Sequence, residues 1–87
     1  NIDVFLDYHC PTECTIKVKY QYKRNGGWVD IVDFPEGTLD NNNTLDEAHL
    51  ESGEIQEFTV FRIKIEMFST KQHIIPFIRN FRAIAGV

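Results

Sequence analysis

Residues 15–24, TIKVKYQYKR, alternate apolar and polar side chains without a break. Ile16, Val18, Tyr20 and Tyr22 fall on one side; Lys17, Lys19, Gln21 and Lys23 fall on the other. On a helix, neighbours in such a pattern sit about 100° apart, so the apolar groups would scatter around the whole cylinder. On a strand the same order gives one dry face and one wet face. A strand with one dry face needs a second layer to cover it. This segment therefore commits the chain to a layered β architecture, and much of the remaining sequence repeats its rhythm.

Residues 2–8, IDVFLDY, set Ile2, Val4, Leu6 and Tyr8 against Asp3, Phe5 and Asp7, which predicts a second strand. Pro11 ends it, because proline has no N–H to give to a ladder. Asn25-Gly26-Gly27 tolerates positive φ and predicts a hairpin turn into a partner strand over residues 28–34. The phase of that partner is mixed. Trp28, Val32 and Phe34 share a face with Asp30, while Val29 and Ile31 share the other with Asp33, so a bulge or two covered faces is expected. Residues 35–53 lose the strand rhythm. DNNN at residues 40–43 reads as a loop. Thr44-Leu45-Asp46-Glu47 then matches a capping box and predicts one short helix over residues 45–51, with Gly53 as its stop.

The last third predicts a β-hairpin over residues 58–87. Its first strand would begin near Ile55, and its apolar face switches between Val60 and Phe61, which either a bulge or a strand crossing from one environment to another would reconcile. A polar turn follows at residues 69–73. In the closing strand Phe81, Ala83, Ala85 and Val87 would line one face, with Asn80, Arg82 and Ile84 on the other. The expected fold class is all-β: a single antiparallel β-sandwich, jelly-roll-like, with one short helix in the 35–54 connection.

Eighty-seven residues make one domain, and a chain of this size buries only about 60–65% of the surface its unfolded form exposes. A hydrophobic fraction of 43% supplies enough apolar volume for a sandwich core. No apolar run approaches the roughly 18 residues that a membrane helix needs, so no membrane partner is expected. The chain starts on Asn1 and not on Met, which suggests a fragment of a larger protein. The net charge of −4 is unevenly spread. Residues 36–57 hold seven acids and no Lys or Arg, and the remainder holds six acids and nine bases. Phosphate recognition needs dense Lys/Arg clusters, so nucleic acid is not an expected partner.

Five constellations carry chemistry on paper. His9, Cys10 and Cys14 in HCPTEC offer at most three zinc ligands, and a fourth would have to come from His49 or His73. Two free thiols in a turn are expected there, with a short-loop disulfide as the alternative. Asp40, Asn42, Thr44, Asp46 and Glu51 fall at calcium-loop offsets, but Leu45 stands where the turning glycine belongs, so a solvated acidic loop is expected. Asn42-Asn43-Thr44 is a sequon that matters only in a secreted eukaryotic protein. His9, His49, His73, Cys10, Cys14, Ser52 and Ser69 stand in no catalytic motif, so neither enzymatic activity nor a cofactor is expected. Tyr20 and Tyr22 continue the core stripe, which leaves Trp28 as the one aromatic placed to stack on a sugar.

Phe61-Arg62-Ile63-Lys64-Ile65, then Ser69-Thr70, Pro76 and Ile78-Arg79-Asn80-Phe81-Arg82-Ala83-Ile84-Ala85 form a pattern of their own. It resembles the C-terminal β-sandwich domain of bacteriophage virion structural proteins of the tail, neck and baseplate. The strand TIKVKYQYK and the Gly-Gly-Trp28-Val29 that follows are similar to such domains more loosely. The acidic loop and HCPTEC depart from the pattern. The resemblance implies a sandwich appended to a larger structural protein in the virion, assembled in the host cytoplasm, with other virion proteins or further copies of itself as partners. It brings no catalytic residues. Arg62, Lys64, Arg79 and Arg82 are the expected protein contacts, pairing either with acids of a neighbour or with Asp3, Asp7 or Glu66 in the same sheet. The alternative function is a carbohydrate-binding module for host-surface glycan, with Trp28 as its contact.

Overall fold

The computed structural model describes residues 1–86 and builds them into seven strands: β1 (Ile2–His9), β2 (Cys14–Arg24), β3 (Gly27–Trp28), β4 (Val32–Thr38), β5 (Asp46–Glu51), β6 (Val60–Ser69) and β7 (Phe77–Ala85). They form two antiparallel sheets packed face to face, a β-sandwich. The first sheet has the order β5-β1-β7. The second is centred on β2, with β6 along one edge and β3 then β4 along the other. The strand alternation read from β1 and β2 holds throughout. Ile2, Val4, Leu6, Tyr8 and Cys10 face Cys14, Ile16, Val18 and Tyr20 across the interior, all of them buried. Phe34, Leu39 and Leu50 complete the buried hydrophobic core.

Three expectations are corrected. Residues 46–51 are a strand and not a helix. Asp3 to Tyr8 of β1 pair residue by residue with Glu51 to Asp46, and Ala48 and Leu50 turn inward while their charged neighbours turn out. A capping box stabilises a helix by local bonds alone, and a helix of two turns is marginal without packing. Covering an edge of the central strand satisfies a whole row of main-chain groups, so the tertiary pairing wins.

The predicted C-terminal hairpin does not form either. β6 pairs with β2 and β7 with β1, so the connection between them crosses from one sheet to the other. β6 matches β2 in an unbroken register from Lys23↔Val60 to Cys14↔Ser69, which joins two long amphipathic strands stripe to stripe. Buried Pro76 just ahead of β7 suits a crossing better than a tight turn. The strand predicted from Ile55 begins only at Val60, after Glu57 at φ 22°. The change of apolar face falls at the start of β6, where Thr59 N donates to Lys23 O at 3.0 Å beside the Lys23↔Val60 pair, so two residues oppose one as the expected bulge requires. Phe58, ahead of that point, packs against Tyr22 and Phe61.

The third correction concerns β7 and β4. Asn80 adopts φ 55° and the β1–β7 register shifts between Phe5 and Asp7. Ala83 stays inward as predicted, but Phe81 is thrown outward and is 42% exposed. Val87 lies outside the described residues. The mixed phase read in residues 28–34 appears as a break between β3 and β4, and β4 runs on through Pro35 to Thr38.

The two flanks of the sandwich differ. On the β4–β5 side Phe34, Leu39 and Leu50 are 3%, 8% and 4% exposed. On the β6–β7 side the inward residues Phe61, Ile63, Ile65, Ile78 and Ala83 are only half-buried, and Met67 is 48% exposed. One end is closed by the 40–43 loop. Asn42 Oδ1 accepts from the Cys10 N–H at 2.7 Å, and its Nδ2 donates to Tyr8 O and to Asp46 Oδ2, each at 3.2 Å. Asn41 Nδ2 donates to Pro11 O at 2.8 Å and to Cys14 O at 2.9 Å. These amides stand in for strand partners where the chain turns from β1 to β2.

Candidate functional site

Strand alternation delivers two wet faces, one on the outside of each sheet. On the second sheet Lys17, Lys19 and Lys23 of β2 point outward because their neighbours Ile16, Val18 and Tyr22 point in. The register sets Arg62 beside Gln21, Lys64 beside Lys19 and Trp28 beside Lys23. The Arg62 guanidinium lies over the Trp28 ring at 4.0 Å, and its Nε donates to Gln21 Oε1 at 2.7 Å. Lys23 Nζ stands 5.7 Å from the same ring. The glycan contact and one of the protein contacts expected separately thus belong to a single patch.

Glu66 is the acid that organises this basic face. Lys19 Nζ reaches Glu66 Oε1 at 3.0 Å, and Lys64 Nζ reaches Oε2 at 3.7 Å. The hydrogen bond from Lys19 holds the Glu66 carboxyl below the usual glutamate range, and the same bond raises Lys19. The expected pairing of Lys64 with Glu66 in its own sheet is therefore present, though such exposed pairs contribute under about 1 kcal/mol.

Arg79 and Arg82 go to the other molecular face. The register places three cross-strand rows on the outside of the first sheet: Glu51–Asp3–Ile84, His49–Phe5–Arg82 and Glu47–Asp7–Arg79. In the middle row the Phe5 and His49 rings stack at 4.2 Å with 13° between planes, and the Arg82 guanidinium lies 5.0 Å from Phe5. Asn80 Nδ2 donates to Asp7 Oδ2 at 2.6 Å. The four cationic residues nominated from sequence are thus divided between opposite faces and do not form one surface, because the strands that carry them belong to different sheets.

In sequence Phe5 alternates with Asp3 and Asp7 on the polar side of β1, and its isolation there is the signal for an outward aromatic. His49 Nε2 lies 3.1 Å from Asp3 Oδ1 and 3.6 Å from Glu51 Oε1. One donor atom from each of these residues falls within 4.8 Å of the others, close enough to share a cation. The same geometry is that of an ordinary surface hydrogen bond, with His49 and Glu51 exposed and Asp3 partly covered.

The HCPTEC residues separate. Cys10 and Cys14 are free thiols buried in the core, whereas His9 turns outward and meets the Phe77 ring edge at 5.5 Å. Alternation along β1 forces this division, so no zinc set of His9, Cys10 and Cys14 can converge. Burial, and next the neighbouring Cys14, push the Cys10 thiol upward, which keeps it protonated and unreactive at neutral pH. Ser52 and Ser69 are engaged locally: Ser52 Oγ accepts from Ile2 N at 2.8 Å, and Ser69 Oγ accepts from Lys71 N at 3.1 Å. The calcium-like loop spends Asn42 on the Cys10 arch.

No protein-family model, curated protein or solved structure matches this chain.

Proposed function

We propose that this chain is a non-enzymatic structural and assembly module of a phage virion, in the tail, neck or baseplate, that acts through protein–protein contacts, with a sandwich of jelly-roll type. The observation that supports this reading is the distribution of exposed apolar groups. Of the ten large hydrophobic residues left exposed among the described residues, seven lie on β6, on β7 or between them: Val60, Met67, Phe68, Ile75, Phe77, Phe81 and Ile84. Isolated exposed apolar residues are ordinary, and Val60 and Ile84 stand on the opposite outer faces of the two sheets; a contact surface is marked only where several meet. Met67, Phe68 and Ile75 line one shallow depression at the β6–β7 crossing. The same segment carries the resemblance to virion domains.

Purified, density-banded particles of the phage that encodes this chain provide the test. The chain should be present at a fixed stoichiometry and accessible to an antibody on the tail or neck. Its absence from particles, with all material left in the unassembled lysate, overturns the reading. The glycan alternative rests on Trp28, which is 39% exposed. A sugar stacking there would have to displace Arg62 or use the opposite ring face. Titration of Trp28 fluorescence with host-surface glycans decides it: a saturable change favours a lectin-like role, and a flat response removes it.

A further inference from the structure

We propose that two copies of this chain pair along the free edge of β6, antiparallel and with Ile65 on the two-fold axis, to join their second sheets into one continuous sheet. This deepens the contact-module reading above by naming one partner and the strand it uses.

Three of the four sheet edges carry the usual protections against edge pairing. β5 is only six residues long and bears Asp46, Glu47 and Glu51. β4 contains Pro35, Glu36 at φ 62° and a register shift against β2. β7 is bulged at Asn80. β6 is charged as well, at Arg62, Lys64 and Glu66, but it has no proline and no register shift along its length. It runs ten residues in unbroken register with β2, and among the described residues nothing pairs with its other edge.

The ladder phase follows from one hydrogen bond. Thr70 N donates to Glu13 O at 3.0 Å, which continues the β2–β6 register by one step. Main-chain groups alternate in direction along a strand, so those of residues 62, 64, 66 and 68 face β2. Those of Phe61, Ile63, Ile65 and Met67 face the open edge. Their side chains are also the ones that remain half-buried or exposed on the open flank.

Charge chooses the partner and the register. An antiparallel two-fold pair must place residues of equal parity opposite one another if both dry faces are to stay on one side. With Ile63 on the axis, Arg62 meets Lys64 twice. With Lys64 or Glu66 on the axis, that residue meets its own copy. With Ile65 on the axis, Lys64 meets Glu66 twice, Arg62 meets Phe68 twice and Ile63 meets Met67 twice. This is the one register of the four that sets opposite charges together and like charges nowhere. The Lys64–Glu66 positions are also the non-hydrogen-bonded pairs of the new ladder, where facing side chains come closest.

The test is the solution mass of the chain over a concentration series, read by sedimentation, with Lys64→Glu and the exchange Lys64→Glu/Glu66→Lys alongside. The wild-type chain should show twice its own mass and fall towards a single chain on dilution. Lys64→Glu sets two carboxylates against two carboxylates and should weaken the dimer about tenfold or more. The exchange restores the opposite-charge pairs and should recover most of the affinity. Circular dichroism melts establish that each variant is folded at the temperature used. A wild-type chain that stays single at every concentration, a dimer indifferent to Lys64→Glu, or an exchange variant no tighter than the single one overturns the pairing. A single-mass chain that is still found in particles would remove this inference and leave the virion reading standing.

Discussion

Replacing Asn42 by alanine removes the acceptor that the Cys10 N–H uses at 2.7 Å and the donor that Tyr8 O receives at 3.2 Å. Cys10 is 0% exposed, so water is poorly placed to take over its amide. An orphaned buried donor costs about 1–3 kcal/mol, and the second bond adds about 0.5–1.5 kcal/mol. The bond to Asp46 adds little, because that carboxylate is exposed and water replaces the lost donor. The expected loss is therefore roughly 2–4 kcal/mol, a large part of the roughly 5 kcal/mol that a domain of this size commands. Urea unfolding followed by Trp28 fluorescence reads it: with a slope of about 1–1.5 kcal/mol per molar, the midpoint should fall by roughly 2 M. Asn43→Ala is the control. Its side chain is exposed and should change stability by no more than about 0.5 kcal/mol. Equal midpoints for the two variants would show that the asparagine loop is the plain solvated loop its composition suggests, and not the clamp on the β1–β2 arch.

Ile16→Ala, at a position with 0% exposure, should cost about 2–5 kcal/mol in the same assay, and a loss below about 1 kcal/mol would place the core elsewhere. Gly37→Ala should destabilise by about 1–3 kcal/mol, because the new Cβ would stand 2.5 Å from Val18 O and 2.9 Å from Phe34 O, both main-chain atoms. Burial is the largest cause raising the Tyr8 and Tyr20 hydroxyls above their ordinary 10.0. Their contribution is thus fully present below that pH and lost as pH rises through the folded values, so melting temperatures should fall above about pH 10 and Tyr20→Phe should flatten that fall. Glu66 is held low by Lys19, so its contribution is present above the usual glutamate range and lost as pH falls through the folded value. In Lys19→Ala the Glu66 carboxyl resonance should titrate at higher pH than in the wild-type chain, and an unchanged titration would sever that link.

The layered β architecture was legible from sequence because alternation is a local property. Ile2 to Tyr8 and Ile16 to Tyr22 declare a dry side whatever they pack against, and both stripes turn inward as read. The Asn25-Gly26-Gly27 turn was legible for the same reason, since the φ values it needs, 52° at Asn25 and 81° at Gly26, belong to those residue types. Partner choice is different, because it depends on which edges meet after the chain has folded. Thr44 to Glu47 wrote a helix signal in local bonds, and the open edge of β1 overrode it. Residues 60–85 were adjacent, amphipathic and separated by a polar turn, yet β2 and β1 offered each strand a better edge than either offered the other. The same division decides the surface. That Arg62, Lys64, Arg79 and Arg82 face water follows from their own neighbours; that they stand on opposite sides of the molecule, with Arg62 on Trp28 and Arg82 on Phe5, follows only from the sheets to which β6 and β7 attach.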